Sequence, residues 1–150
     1  MSANELLDFG FYQNMLTIFI LIFSYILLLV FGARKKNDII LISFLYIWHT
    51  FFSIVYYLYS LSNPADAKAY YLRSLLVNEF TFKVGTSFVI QFTSIFTQGL
   101  DASYLNTTLI FNLFGSAGLV LFYLSLKNYF TIINKLWIFI LFIPSMSFWS

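Results

Sequence analysis

Charged residues divide this chain into long apolar stretches. An α-helix needs about 20 residues to cross about 30 Å of hydrocarbon. The stretches 9–33, 39–65 and 102–126 carry no charge and are long enough, whereas a shorter uncharged stretch follows Lys135. The pattern predicts four spans, at about 11–32, 39–61, 102–126 and 129–150.

The segment 62–101, between the second and third spans, has a different pattern. Within 84–100, seven of 17 residues are Thr, Ser or Gln. On a helical wheel these polar residues occupy one half and the apolar residues the other, apart from Ile90. The pattern predicts an extracytoplasmic loop with an amphipathic helix that lies in the interface or re-enters the same side of the membrane. A poorly hydrophobic true span is the alternative, and it would invert the downstream topology.

The composition agrees with lipid as the main solvent. The chain is 61% hydrophobic and only 9% charged, with a mean hydropathy of +0.85, whereas a soluble domain carries about 25% charged residues. We therefore predict one all-α integral membrane domain over 1–150, with about four transmembrane helices plus an outer amphipathic helical region. We expect it to be a fragment of a larger bundle, with membrane lipids and the remaining helices of the full-length protein as partners.

Several classes of chemistry are excluded by residue counts. The chain has no cysteine and one histidine, so thiolate metal sites, thiol catalysis and imidazole clusters are ruled out. No two acidic residues share a local ligand spacing with the histidine, and we expect neither a metal nor another cofactor. The eight basic residues are spread in small groups over the loops, which argues against a nucleic-acid partner.

Orientation follows from the basic residues near the helix ends. Arg34, Lys35 and Lys36 follow the first span directly, and cytoplasmic loops carry an excess of Lys and Arg. The amino terminus is then extracytoplasmic and 62–101 lies outside. The expected location is the inner (plasma) membrane of the cell.

Polar side chains inside the spans point to helix packing or to a cavity. Hydroxyl residues recur along the second span at spacings of three and four, at Ser43, Tyr46, Thr50, Ser53, Tyr57 and Ser60. They share one helix face, which must meet other helices or line a watery cavity. In the third span, the run Gly115 to Gly118 allows a close backbone approach. His49 is interpreted as an interhelical hydrogen-bonding residue, with a proton relay as the alternative.

Asp66 is the main candidate for chemistry. Asn63 followed by Pro64 reads as a helix N-cap and first residue, which would make Asp66 a capping carboxylate. Asp101 has a similar capping interpretation at the third span. The functional alternative makes Asp66 a general base just outside the membrane. The cations of Lys68 and Arg73 would then hold a phosphate leaving group, with Tyr70 and Tyr71 beside the substrate.

Three short motifs also carry a family resemblance. They are an Asn-Pro-Ala-Asp-Ala-x-x-Tyr-Tyr stretch, a Phe-x-x-Gly-Thr-Ser-Phe entry to the amphipathic segment, and a closing Pro-Ser-x-x-Phe-Trp-Ser. Together they resemble the amino-terminal third of bacterial multi-pass GT-C-like glycosyltransferases and polysaccharide polymerases, which use polyprenyl-phosphate-linked sugars. The resemblance implies a catalytic acidic residue in the first large extracytoplasmic loop, and Asp66 is the matching position.

The sequence thus leads to one function hypothesis and two alternatives. The first is sugar transfer or polymerisation from a polyprenyl-phosphate-linked donor on the extracytoplasmic face. The second is a transporter or flippase component, in which the hydroxyl face and His49 form a pathway. The third is a small non-catalytic membrane subunit.

Overall fold

The computed structural model describes residues 10–33, 36–79 and 84–129, apart from the side chains at 36, 37, 128 and 129. Every regular element in these ranges is an α-helix, as predicted. They are α1 (Phe11–Gly32), α2 (Lys36–Ser62), α3 (Asp66–Ser74), α4 (Thr86–Gly99) and α5 (Tyr104–Tyr129). The predicted span at 129–150 lies outside the described residues beyond its first position.

Three of these helices are long and apolar enough to cross a membrane. The segments are Phe11–Gly32, Asp38–Ser62 and Tyr104–Lys127, which match the first three predicted spans to within two residues at each end. Large apolar side chains point outward along them, as at Ile22 and Ile47, which are 54% and 64% exposed. A water-facing surface would not carry such stretches. The chain is therefore an all-α protein of the membrane type.

The chain divides into two compact units. Among the described residues, unit 1 contains 10–20, 57–79 and 84–110, and unit 2 contains 21–33, 36–56 and 111–129. Each of the three long helices contributes one segment to each unit. Helices α3 and α4 belong wholly to unit 1.

The core of unit 2 forms where small residues let helices approach closely. Leu28, Ile42, Tyr46 and Val120 make a buried apolar cluster. Gly32 is in contact with it, because a Cβ atom at this position would lie 2.6 Å from Val120 Cγ1 and 2.8 Å from Ile42 Cδ1. Small residues at helix contacts are typical of membrane bundles.

Hydroxyl groups of α2 in unit 2 bind neighbouring helices. Tyr46 donates a hydrogen bond to the Leu21 carbonyl oxygen over 2.9 Å, and Ser43 Oγ lies 2.9 Å from the Tyr25 hydroxyl. Because lipid offers no replacement partner, these bonds fix the rotation of α2 about its axis. The packing interpretation of the hydroxyl face is confirmed for these residues.

Asn112 of α5 joins three side chains of α2. Its Oδ1 accepts from Ser53 Oγ over 2.9 Å and from His49 Nδ1, and its Nδ2 donates to Thr50 Oγ1 over 2.9 Å. Asn112 is only 3% exposed. The prediction that His49 makes an interhelical hydrogen bond is confirmed. The Asn112 side-chain amide uses both its oxygen and its nitrogen to bind residues of α2. These bonds fix the register between α2 and α5.

A buried carboxylate joins the start of α2 to the end of α5. Asp38 is 2% exposed and accepts a hydrogen bond from the Tyr123 hydroxyl over 2.8 Å. Its Oδ1 also forms a salt bridge with Lys127 Nζ, whose side chain is one-third exposed. A buried charge requires such partners.

Two glycines of α5 provide a matched test of packing. A Cβ atom at Gly115 would lie 2.8 Å from His49 Cε1, whereas one at Gly118 would meet no atom within 4 Å. Alanine raises helix propensity by about 1 kcal/mol at either site. We expect Gly118→Ala to leave the melting temperature in detergent unchanged or higher. Gly115→Ala should lower it by displacing the imidazole from Asn112, and equal melting temperatures for the two variants would contradict this packing.

Candidate functional site

The candidate site lies in unit 1, where a cluster of tyrosines anchors α3. Tyr57 of α2, Tyr71 of α3 and Tyr104 of α5 are all buried, with ring centroids 5.4 Å apart for Tyr57 and Tyr104 and 5.1 Å for Tyr71 and Tyr104. The Tyr104 hydroxyl lies 2.8 Å from Ser60 Oγ. Such aromatic contacts stabilise the fold beyond the effect of the apolar area that the rings bury. Tyr71 is therefore placed in the core, on the supporting side of α3.

The predicted capping role of Asn63 is wrong. Helix α3 begins at Asp66, its N-cap is Ala65, and no side chain caps it. Asn63 Nδ2 donates instead to the Tyr59 carbonyl oxygen of α2, over 2.9 Å. The final carbonyls of a helix have no partner within it, so an amide just beyond the end can satisfy one of them. Asn63 therefore closes the preceding helix and leaves the next one uncapped.

Lys68 performs a similar task from α3. Its Nζ donates to the Leu61 carbonyl oxygen over 3.0 Å, and the side chain is half-buried. A cation at a helix C-terminus also interacts favourably with the helix dipole. Of the two cations predicted to hold a phosphate, Lys68 is thus partly committed to joining α2 and α3.

The outer face of α3 carries Asp66, Tyr70 and Arg73. At 100° per residue these positions lie within about 60° of one another, and Asp66 and Arg73 are seven residues, or about 10 Å, apart along the axis. Asp66 and Arg73 are exposed and Tyr70 is half-buried. Among the described residues, neither charged side chain makes a salt bridge or hydrogen bond. One carboxylate and one guanidinium are therefore available to a ligand on a single face.

Helix α4 contacts the carboxyl-terminal end of α3 through Ser74. Ser74 is fully buried, its Oγ lies 3.1 Å from Thr97 Oγ1, and its carbonyl oxygen accepts from Gln98 Nε2 over 2.9 Å. Gln98 Nε2 also donates to the Val77 carbonyl oxygen over 2.8 Å. Polar side chains of α4 thus satisfy the end of α3, and the two helices form a pair.

A buried glutamine, which the sequence reasoning missed, holds the turn between α4 and α5. Gln13 of α1 is 8% exposed; its Nε2 donates to the Asp101 carbonyl oxygen over 2.6 Å, and its Oε1 accepts from the Ser103 backbone N–H over 3.0 Å. Asn106 Nδ2 donates to the same Oε1 over 2.8 Å. The available signal was an amide in an otherwise apolar span, where a polar side chain must find a partner.

The predicted N-cap role of Asp101 is also wrong. Helix α5 begins at Tyr104, and Ser103 Oγ accepts from the Asn106 backbone N–H over 3.3 Å. Asp101 has a φ of +47°, in the left-handed region that Asp tolerates better than most residues. It makes the turn, and Ser103 caps the helix.

The described residues contain no group of three His, Asp or Glu side chains that could hold a metal ion. Comparison of the chain with protein-family models, curated proteins and solved structures finds no match. The candidate site is therefore defined by its geometry alone. It consists of an exposed carboxylate and guanidinium on a short helix that tyrosines and α4 hold in place.

Gln13→Leu tests the support of this site. The change leaves the Asp101 carbonyl and the Ser103 N–H without their partner, and each buried unsatisfied group costs about 1–3 kcal/mol. We expect a clear fall in melting temperature in detergent. Tyr12→Phe is the control and should cost less, because it removes one hydrogen bond, to the Leu100 carbonyl oxygen, whereas Gln13→Leu removes three. A loss as large in the control would show that Gln13 has no special role.

Proposed function

We propose that the intact protein is a membrane glycosyltransferase or polysaccharide polymerase that uses polyprenyl-phosphate-linked sugars. The observation that carries this proposal is the outer face of α3, where Asp66 and Arg73 are both exposed and unpaired among the described residues. Beside α3, helix α4 turns apolar side chains outward. A polar head with a sugar and a phosphate, on a lipid tail, matches such a surface. The motif resemblance around Asp66 supports the same class of substrate.

The proposed mechanism assigns one role to each charge. Asp66 removes the proton from an acceptor hydroxyl, and the resulting oxygen attacks the anomeric carbon of the donor sugar. The bond from that carbon to the phosphate oxygen breaks, and the Arg73 guanidinium holds the departing phosphate. The spacing of about 10 Å along the helix leaves room for a sugar ring between the two groups.

Tyr70 and Lys68 complete the proposed site. Tyr70 lies one turn from Asp66 on the same face and offers a ring and a hydroxyl to the sugar. Lys68 uses one donor on the Leu61 carbonyl oxygen and brings a second positive charge to the same short helix as Arg73. Tyr71 acts indirectly, by holding α3 against Tyr104.

The hydroxyl face of α2 favours this function over transport. In unit 2, Tyr46, Thr50 and Ser53 hydrogen-bond to α1 or α5, and in unit 1 Ser60 pairs with Tyr104. Side chains that line a transport path face water or substrate, whereas these four hydroxyl groups form hydrogen bonds within the protein. The described part of α2 thus acts as a scaffold.

Asp66→Asn tests the catalytic assignment in the full-length protein. In membranes supplied with radiolabelled polyprenyl-phosphate-linked hexoses, we expect transfer to fall by about 10²–10⁴-fold, the usual contribution of a general base. Arg73→Gln should weaken transfer and raise the KM for the donor. Glu79→Gln is the matched control, since Glu79 is an exposed acid outside the α3 face.

Protein abundance and melting temperature should be equal in all three variants. Wild-type transfer by Asp66→Asn would overturn the assignment of the base. Absence of transfer by the unmutated full-length protein from every polyprenyl-linked donor would overturn the proposed function.

The proposal also requires α3 to lie outside the cell. The chain has no cysteine, so Ser62→Cys, at an exposed site before α3, creates a single thiol. We expect a membrane-impermeant maleimide to label it in intact cells. Lys35→Cys, in the basic cluster that follows the first span, should react only after permeabilisation. The reverse pattern would place Asp66 in the cytoplasm and exclude an extracytoplasmic transferase.

A further inference from the structure

Helix α4 buries polar side chains and exposes apolar ones, which is the reverse of a helix on a water-facing surface. Its buried side chains are Gln91, Thr93, Ser94 and Thr97, with exposed fractions between 2% and 6%. On the outer side, Phe88 is 41% and Ile95 is 50% exposed. In contact with water the two faces would exchange places, because burial favours apolar groups.

We infer that α4 is embedded in the hydrocarbon of the bilayer without crossing it, and that its outer face contacts lipid acyl chains. Its 14 residues extend about 21 Å, which is less than the roughly 30 Å needed to span. This inference concerns the membrane position of α4 and holds whether or not the protein transfers sugars.

The distribution of side-chain sizes supports lipid as the occupant of the outer face. In membranes, contacts between helices favour small and hydroxyl side chains, which allow close approach and hydrogen bonds. Helix α4 carries Thr93, Ser94 and Thr97 on its protein side, where Thr97 faces Ser74. The bulky Phe88 and Ile95 are on the other side. A second protein partner would be expected to meet small residues there.

The turn that follows α4 gives a second, independent argument. Non-helical backbone within the bilayer is tolerated only where protein satisfies its polar groups. The carbonyl oxygens of Leu100 and Asp101 accept from Tyr12 and Gln13, while the Ser103 N–H donates to Gln13. The N–H groups of Leu100 and Ala102 donate to the Phe96 carbonyl oxygen. Five backbone groups of this turn therefore have partners within the protein, as a position in or near hydrocarbon requires.

Spin labels on single cysteines test this position. Ile95→Cys and Phe88→Cys place a nitroxide on the outer face, Ile22→Cys gives a mid-span reference on α1, and Ser62→Cys gives an aqueous reference. In lipid vesicles we expect labels at 95 and 88 to collide with oxygen as often as the label at 22. We also expect a water-soluble nickel chelate to broaden the spectrum of the label at 62 and to leave the spectra of the labels at 95 and 88 unchanged.

The other outcomes each overturn the inference. Strong nickel broadening at 95 and 88 would place α4 in water. Low collision rates with both oxygen and nickel would mean that another protein segment or a second copy of the chain covers this face.

A second measurement does not depend on labelling. Ile95→Arg places a charge in hydrocarbon if the inference is correct, so the amount of folded protein in the membrane should fall strongly. Thr86→Arg, at the exposed start of the same helix, is the control and should leave the amount unchanged. Equal amounts for the two variants would contradict a hydrocarbon position for residue 95.

Discussion

Hydrocarbon supplies no hydrogen-bond partners, and this constraint explains where the polar side chains of the chain lie. Each long helix satisfies its own backbone, so the remaining demand comes from side chains and from the turns between helices. Asn112 meets it in unit 2 by binding three side chains of α2. Gln13 meets it in unit 1 by binding the turn that precedes α5. The polar residues thus set helix register and rotation, which apolar contacts with lipid leave undetermined.

The same need for hydrogen-bond partners shapes the pair formed by α3 and α4. At the end of α3, the Ser74 hydroxyl pairs with Thr97 of α4, and the Ser74 carbonyl oxygen accepts a hydrogen bond from Gln98 of α4. Tyrosines hold the inner side of α3, so its outer face is left with the charges of Asp66 and Arg73. Packing therefore separates α3 into a supporting side and a reactive side. The proposed chemistry depends on that separation, because a base and a phosphate-binding cation act together only when both are fixed and uncommitted.

Neighbouring tyrosines illustrate how packing assigns roles. From the sequence, Tyr70 and Tyr71 were equivalent candidates for contact with a sugar. One position along a helix is a rotation of 100°, which puts Tyr71 into the cluster with Tyr104 and leaves Tyr70 half-buried beside Asp66. The lysine and the arginine are separated in the same way, since Lys68 reaches back to α2 and Arg73 faces outward.

The sequence alone determined the three described spans, the amphipathic character of α4 and the pairing of His49 with another helix. These follow from local properties, since the cost of placing a residue in lipid depends on that residue and its periodicity. Only the tertiary structure decided that Asn63 closes α2, that Ser103 caps α5 in place of Asp101, and that the polar half of α4 faces inward. Gln13 binds groups about 90 positions away in the chain. Hydropathy and spacing show that such polar groups need partners, and the packing of distant segments determines which partners they find.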